Sequence, residues 1–146
     1  MTDEPISILL VEDNLDHAAL VIRGLKSNMI SNQIAHVEDG EAALDYVFKR
    51  GNYSDAPTPN LILLDLRLPK VDGLEVLKIL KSNDDTKRIP IVILTTSDAE
   101  RDMAMAYDYH ANSYMVKPIT FENFMELTKT LGFYWFVYNK QPEQKT

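Results

Sequence analysis

Charged and hydroxyl side chains follow several apolar runs of the chain, at the point where each run ends. Glu12 and Asp13 follow ISILLV, Asp65 follows LILL, Thr95 follows IVIL, and Lys117 follows SYMV. Apolar runs of this length are typical of strands that are buried in a parallel sheet. The polar residues at their ends are not needed to build a core, so we treat them as candidate functional residues.

Parallel strands place their carboxyl ends at one edge of a sheet, where open α/β sheets bind ligands. Three carboxylates gathered there would repel one another and raise one another's pKa. Mg²⁺ relieves such a conflict, because it accepts one or two carboxylates and keeps several waters. The Lys117 ammonium and the Thr95 hydroxyl add donors for a tetrahedral anion. This set suits phosphoryl transfer, with Asp65 as a nucleophile that forms an aspartyl phosphate.

A simpler interpretation exists for each residue taken alone. A single Asp after a strand is more often a turn or helix cap, and Glu12-Asp13-Asn14 is compatible with a capping loop. Lys117-Pro118 is compatible with an ordinary turn. Polar groups of suitable chemistry at four of five strand ends are harder to attribute to capping, which favours a functional site.

The intervening segments have helical periodicity, so strands and helices alternate along the chain. This pattern predicts a doubly wound, five-stranded parallel α/β sheet with helices on both faces. Asn14 and Thr120 are predicted helix N-caps, although Asn123 in place of Glu or Gln argues against a full capping box after Thr120. A surface loop is predicted over 50–60. The predicted strands span 6–11, 33–37, 61–64, 91–94 and 113–116, and the helices about 14–26, 40–49, 74–81, 99–107 and from about 120 onward.

Composition narrows the possible functions. The 146 residues carry a formal net charge of −7, which argues against nonspecific binding to nucleic acid or to anionic membranes. Cysteine is absent, so thiol chemistry and disulfides are excluded. The N-terminus has no signal-peptide pattern, and no apolar run reaches membrane-spanning length. A cytoplasmic protein is the expectation.

Four motifs together resemble the receiver domain of two-component response regulators: LLVEDN (9–14), LLDLRLPKVDG (63–73), ILTTS (93–97) and SYMVKP (113–118). The resemblance covers about residues 6–131. It implies the flavodoxin-like (βα)5 fold with strand order 2-1-3-4-5. The longer segment over 50–60 and the aromatic C-terminal region are most similar to the small cyanobacterial phytochrome response regulators.

The resemblance also assigns roles to the strand-end residues. Asp65 matches the phosphoacceptor, and Glu12 and Asp13 match the acidic pair that holds Mg²⁺ together with it. Arg67 stands where the family gives a backbone carbonyl to the metal. Lys117 matches the lysine that pairs with the phosphoryl group, and its bond to Pro118 is one that is commonly cis in the family.

Signalling roles follow from the same resemblance. Thr95 matches the hydroxyl that contacts the phosphoryl group, and Tyr114 matches the switch aromatic that moves with it. Their movement would alter the face built from the fourth helix, fifth strand and last helix. Arg67 and Ser97 stand at positions that influence hydrolysis of the acyl phosphate in the family.

The resemblance implies a sensor histidine kinase as the partner, with a bacterial phytochrome as one candidate, and a protein that catalyses only its own phosphorylation and dephosphorylation. We expect a single receiver domain over 1–146, with a core over about 6–131 and an aromatic extension over 132–146. Phe124, Leu127 and Leu131 are predicted to face the core. Tyr134, Trp135 and Tyr138 are predicted to form a homodimer interface, although a tail folded over its own domain remains an alternative.

Three other functions are less compatible with the residues at the strand ends. A pseudo-receiver that binds partners without phosphorylation is disfavoured by the complete set of strand-end residues. A phosphohydrolase would need a second Asp two residues after the nucleophile, where this chain has Arg67. A flavin carrier would need a phosphate-binding loop in place of Glu12-Asp13. His17, His36 and His110 show no ligand spacing and are predicted to be structural or surface residues.

Overall fold

A parallel sheet of five strands forms the centre of the molecule. The computed structural model describes residues 6–28, 33–127 and 129. The strands lie in the order β2-β1-β3-β4-β5, and every neighbouring pair is parallel. This confirms the predicted doubly wound sheet and its strand order. The strands are β1 Ser7–Val11, β2 Gln33–Val37, β3 Leu61–Leu64, β4 Ile91–Thr95 and β5 Ser113–Val116.

Helices connect the strands, as the alternating pattern predicted. Residues 121–127 and 129 are also helical and are the described residues of a fifth helix, α5. Within the described ranges, no helix has both the length and the apolar character that a membrane span requires. The other four helices are α1 Leu15–Ser27, α2 Gly40–Val47, α3 Gly73–Ser82 and α4 Glu100–Asp108.

Successive residues of the central strands pack into two separate apolar clusters, one on each face of the sheet. This follows from the strand geometry, in which neighbouring side chains point to opposite faces. In β1, Leu9 and Val11 join the cluster that includes α2 and α3 residues, whereas Ile8 and Leu10 join the one that includes α1 residues. Because both faces are covered, the three central strands β1, β3 and β4 are apolar between their ends, whereas the edge strand β2 carries the half-buried His36.

The α5 helix begins with a reciprocal cap that the sequence did not predict. The Asn123 backbone N–H donates to Thr120 Oγ1 at 3.1 Å, and the Thr120 N–H donates to Asn123 Oδ1 at 3.3 Å. The expectation that a capping box would be absent was therefore wrong, because the shorter amide of Asn reaches the same backbone group as Glu or Gln. Phe124 and Leu127 are buried as predicted, whereas Leu131 lies outside the described residues.

The segment over 50–60 includes a short turn of 3₁₀-helix, Gly51–Tyr53, which the sequence did not predict. Tyr53 packs its ring against that of Tyr46 at a centroid distance of 5.4 Å. Pro59 is buried just before β3. Tyr53 and Ala56 pack against the apolar cluster that includes α2 residues, so the segment is not a wholly exposed loop.

Lys81 connects the end of α3 to the segments that precede β4 and β5. Its ammonium donates to the carbonyl oxygens of Lys87 and Ile89 at 3.0 and 2.8 Å, and to Asn112 Oδ1 at 3.3 Å. Asn112 Oδ1 also accepts the backbone N–H of Ile91, at 2.9 Å. Burial lowers the pKa of Lys81 from 10.5 to about 8.

This lowered pKa predicts a specific pH dependence of stability. Between about pH 8 and pH 10.5 the unfolded chain holds a proton on Lys81 that the folded chain has released, so raising the pH through this window increases the free energy of unfolding. The variant Lys81→Met cannot titrate there. Urea unfolding at several pH values should show wild-type stability rising relative to the variant across this window. Parallel profiles would contradict the prediction.

Candidate functional site

The ends of β1, β3 and β5 bring a basic and two acidic side chains into contact. Glu12 and Asp65 are 2% and 7% exposed, while Asp13 beside them is exposed to solvent. The Lys117 ammonium contacts Glu12 Oε1 and lies 3.2 Å from Asp65 Oδ2. Parallel pairing of β1 with β3 places Val11 level with Leu64, so the residues that follow both strands emerge side by side. The structure thus brings together the four charged residues that the sequence analysis selected.

The buried carboxylate of Glu12 is held by several groups. Burial raises its pKa and Asp65 adds to this effect, while the hydrogen bonds from Lys117 and from the Asn14 backbone oppose it. The net direction is upward. Protons and metal ions therefore compete for this side chain more strongly than they would for an exposed Glu.

The turn after β3 approaches Asp65 closely. A side chain at Gly73 would place its Cβ only 2.1 Å from the Asp65 carbonyl oxygen, so α3 can begin here only with glycine. The Gly73 N–H donates to the carbonyl of Leu66 at 2.9 Å. The Arg67 N–H lies 3.3 Å from Asp65 Oδ1. This packing fixes the Asp65 carboxylate relative to the sheet edge.

Thr95 and Tyr114 both form a hydrogen bond with Ser97, in the loop after β4. Thr95 is fully buried, and its Oγ1 accepts the backbone N–H of Ser97 at 3.3 Å. The Tyr114 hydroxyl donates to the carbonyl of Ser97 at 2.9 Å. Burial raises the pKa of Tyr114. A single loop residue therefore links the hydroxyl at the site to the aromatic ring on β5.

Two further residues, His17 and Asp102, lie at the site although the sequence did not indicate them. His17 Nδ1 is 3.1 Å from Lys117 Nζ, which makes this nitrogen the acceptor of the pair. The carboxylate of Asp102 binds both Arg67, at 2.8 Å, and Ser97, at 2.6 Å. The position of His17 in the first turn of the helix after Glu12-Asp13 was an available signal. No sequence pattern distinguished Asp102 from the other acidic residues of its helix.

A cavity of about 370 Å³ opens beside Lys117, between α1 and α5. Lys117, His17 and Thr96 are the polar residues of its lining, and the other lining residues, with Leu20 and Phe124 among them, are apolar. The Lys117–Pro118 peptide bond at its floor is cis, as the family resemblance implied.

The acidic residues provide a suitable set of donors for a divalent metal ion. Glu12, Asp13 and Asp65 each offer one carboxylate oxygen, and these oxygens lie within 4.8 Å of one another. Hard dications such as Mg²⁺ and Mn²⁺ prefer oxygen donors of this kind. The ligands present therefore fit a divalent metal.

Comparisons with known proteins agree with this geometry. The family model described as the response regulator receiver domain matches residues 8–129. The response regulator Rcp1 of Synechocystis sp. is 42% identical, over 92% of this chain and 94% of that one. The probable methanogenesis regulatory protein FilR2 of Methanothrix harundinacea is 41% identical, over 96% of this chain and 90% of the relative.

Solved structures show the same similarity. The Mn²⁺-bound form of Rcp1 superposes with a TM-score of 0.77 at 42% identity, covering 90% of this chain and 94% of that one. The phosphorylated cyanobacterial phytochrome response regulator RcpA gives a TM-score of 0.78 at 38% identity, covering 91% and 95%. This chain belongs to the response regulator receiver domain family of two-component systems. Members of this family are signalling switches rather than conventional enzymes.

Tyr134, Trp135 and Tyr138, predicted as a dimer interface, lie outside the described residues. The Arg67 backbone carbonyl, predicted to bind metal, belongs to the same residue whose N–H faces Asp65 Oδ1. The metal-ligand role of this carbonyl stays a prediction.

The contacts of Lys117 predict the effect of removing its charge. Lys117→Met would leave two buried carboxylates facing each other, so we expect the free energy of unfolding at neutral pH to fall by about 3–5 kcal/mol. Saturating Mn²⁺ or Mg²⁺ should stabilise the variant more than the wild type, because the metal then supplies the missing positive charge. Urea unfolding in chelator and in metal measures both effects.

Lys70→Met is a matched control. Lys70 pairs with Asp39 and Glu41 at 3.7 Å, and its side chain is 60% exposed, so its loss should change stability by less than about 1 kcal/mol. Equal effects of the two substitutions would show that the buried contacts of Lys117 contribute nothing particular.

Proposed function

We propose that this protein accepts a phosphoryl group on Asp65 from the phosphohistidine of a sensor histidine kinase, in a Mg²⁺-dependent reaction that it catalyses itself. The observation that supports this most strongly is the position of Asp65. Its buried carboxylate lies at the end of β3, 3.2 Å from the Lys117 ammonium and beside two further carboxylates. A nucleophile, a cation and a metal-ligand set thus occupy one pocket.

The chemistry follows from these contacts. A carboxylate oxygen of Asp65 forms a new P–O bond while the P–N bond to the donor histidine breaks, and the bonding electrons remain on the imidazole nitrogen. Lys117 is placed to neutralise the transferring phosphoryl oxygens, which is the main protein contribution in such reactions. Mg²⁺, held by Glu12, Asp13, Asp65 and the Arg67 carbonyl, would supply further charge neutralisation.

The same residues would support slow hydrolysis of the acyl phosphate, so the protein acts catalytically only on itself. Arg67 and Ser97 are proposed to influence the rate. Their involvement is supported by their location, because Arg67 follows the acceptor by two residues and Ser97 follows Thr95 by two residues. Thr95 would donate its hydroxyl to a phosphoryl oxygen.

Output is proposed to leave through the α4-β5-α5 face. Phosphorylation adds nearly two negative charges at Asp65. A shift of Thr95 toward them would disturb Ser97, whose N–H it accepts and whose carbonyl holds the Tyr114 hydroxyl. Exposed apolar side chains on this face offer contact area for a partner protein; they are Tyr107, Val116, Phe121 and Met125.

The kinase partner is proposed from the relatives. RcpA is described as a cyanobacterial phytochrome response regulator, and another similar structure, AtBRR, as a bacteriophytochrome response regulator, with a TM-score of 0.79 at 41% identity. A phytochrome-type histidine kinase in the cytoplasm is therefore the proposed source of the phosphoryl group. Output through protein contact, without binding to nucleic acid or membrane, completes the proposal.

Intact-mass spectrometry after incubation with acetyl phosphate tests the chemistry. We expect a gain of one phosphoryl group that requires Mg²⁺ and is lost in Asp65→Asn, because the acceptor oxygen is then replaced by an amide. Asp55→Asn, which changes an exposed carboxylate outside the site, should retain the gain.

If wild-type protein gains no mass from acetyl phosphate or from a histidine kinase, the proposal fails and a pseudo-receiver binding module replaces it. A gain that persists in Asp65→Asn would place the acceptor elsewhere.

A homodimer is proposed from the aromatic segment of the sequence. With residues 1–146 as a single receiver domain, Tyr134, Trp135 and Tyr138 in the extension over 132–146 would form the contact between two copies. Light scattering should give the mass of a dimer for the wild type and of a monomer for the triple alanine variant, because aromatic residues contribute most of the binding energy of such contacts. The variant should still gain a phosphoryl group, and a variant that remains dimeric would contradict the prediction.

A further inference from the structure

Three carboxylates are buried in the part of the chain that the structure describes, and the proposed chemistry uses only two of them. Glu12 and Asp65 belong to the site, whereas Asp102 is 8% exposed and lies in the first turn of α4. Burying a carboxylate is costly unless it is paired and hydrogen-bonded. The position of Asp102 near the positive end of α4 offsets part of this cost.

One oxygen of Asp102 binds two groups from the loops that border the site. Asp102 Oδ2 accepts from Arg67 Nη2 at 2.8 Å and from Ser97 Oγ at 2.6 Å. Arg67 lies in the loop after β3 and Ser97 in the loop after β4. The carboxylate therefore joins both loops to α4.

The two ends of Arg67 are directed to different carboxylates. Its backbone N–H lies 3.3 Å from Asp65 Oδ1, while its guanidinium is bound to Asp102. The side chain is 63% exposed, so few packing contacts oppose its rotation. A dianionic phosphoryl group on Asp65 would compete with Asp102 for this guanidinium.

We propose, on the basis of the function proposed above, that Asp102 is a positioning residue that holds the Arg67 guanidinium away from a phosphoryl group on Asp65. Asp102 in this way keeps the acyl phosphate open to water. When the charge of Asp102 is removed, the guanidinium is released to pair with the phosphoryl oxygens. The pair then covers the phosphorus, and hydrolysis of the acyl phosphate slows.

The variant Asp102→Asn isolates this charge. The amide oxygen of Asn still accepts the Ser97 hydroxyl, whereas the ion pair with Arg67 is lost. After loading with acetyl phosphate and Mg²⁺ and rapid removal of the donor, intact-mass spectrometry follows the loss of the phosphoryl group. We expect Asp102→Asn to lower the hydrolysis rate by about two- to fivefold, the size of effect expected from one partly exposed ion pair.

A double-mutant cycle with Arg67→Gln separates this role from a structural one. Without the guanidinium, Asp102→Asn should no longer change the hydrolysis rate, because its effect acts through Arg67. Asp102→Glu, which keeps the charge, should restore a rate near that of the wild type. Glu100→Gln, which removes an exposed negative charge from the same helical turn, should leave the rate unchanged.

The outcomes distinguish the two proposals. If the wild type gains no phosphoryl group, both proposals are overturned. If it gains one but Asp102→Asn hydrolyses at the wild-type rate or faster, or slows equally with and without Arg67, only the role of Asp102 is overturned. Circular dichroism establishes that each variant is folded, and Asp102→Ser, with a smaller neutral side chain, replaces Asp102→Asn in the same cycle if that variant does not fold.

Discussion

The buried ammonium group of Lys117 connects the carboxyl ends of three strands. Lys117 follows β5, and its two carboxylate partners, Glu12 and Asp65, follow β1 and β3. Each of these charges would be costly to bury alone. Together they are compensated, and the edge of the sheet can then hold two buried carboxylates that are shielded from water. The loops that follow these three strands begin at Glu12, Asp65 and Lys117, so the contacts among these side chains hold the starts of the loops together.

A second carboxylate, that of Asp102, organises the neighbouring loops. It joins Arg67 and Ser97, and the carbonyl of Ser97 holds the hydroxyl of Tyr114. A continuous set of hydrogen bonds therefore runs from Arg67, two positions after Asp65, to the hydroxyl of the aromatic side chain on β5. The proposed change of charge at Asp65 would act at one end of this set, and Tyr114 on β5 lies at the other. This is a physical route by which a local charge would alter a distant surface.

The residues that form the apolar core are different from those that form the charged site at the strand ends. Two clusters of apolar side chains cover the two faces of the sheet, while Glu12, Asp65 and Lys117 follow the strand ends and belong to neither cluster. Glycine at position 73 marks the place where these two requirements meet, because α3 must begin against the carbonyl of Asp65 itself. Similarity to Rcp1 and RcpA over nine-tenths of the chain shows that the fold as a whole is shared with these proteins.

The sequence by itself determined the order of elements and the residues at the end of each strand. Three strands, β2, β3 and β5, have the predicted bounds, since apolar runs and their polar ends are local properties of the chain. The strand order and the residue roles came from the family motifs rather than from periodicity.

Tertiary structure decided which distant side chains meet. His17 reaches Lys117 across 100 positions of sequence, and Asp102 is buried only because Arg67 and Ser97 arrive from two other loops. Asn123 completes a cap that its residue type did not predict, because the backbone geometry of the turn brings its amide within reach of Thr120. The contacts of His17 with Lys117 and of Asp102 with Arg67 depend on distances between elements that are remote along the chain, and no local pattern of residue types specifies those distances.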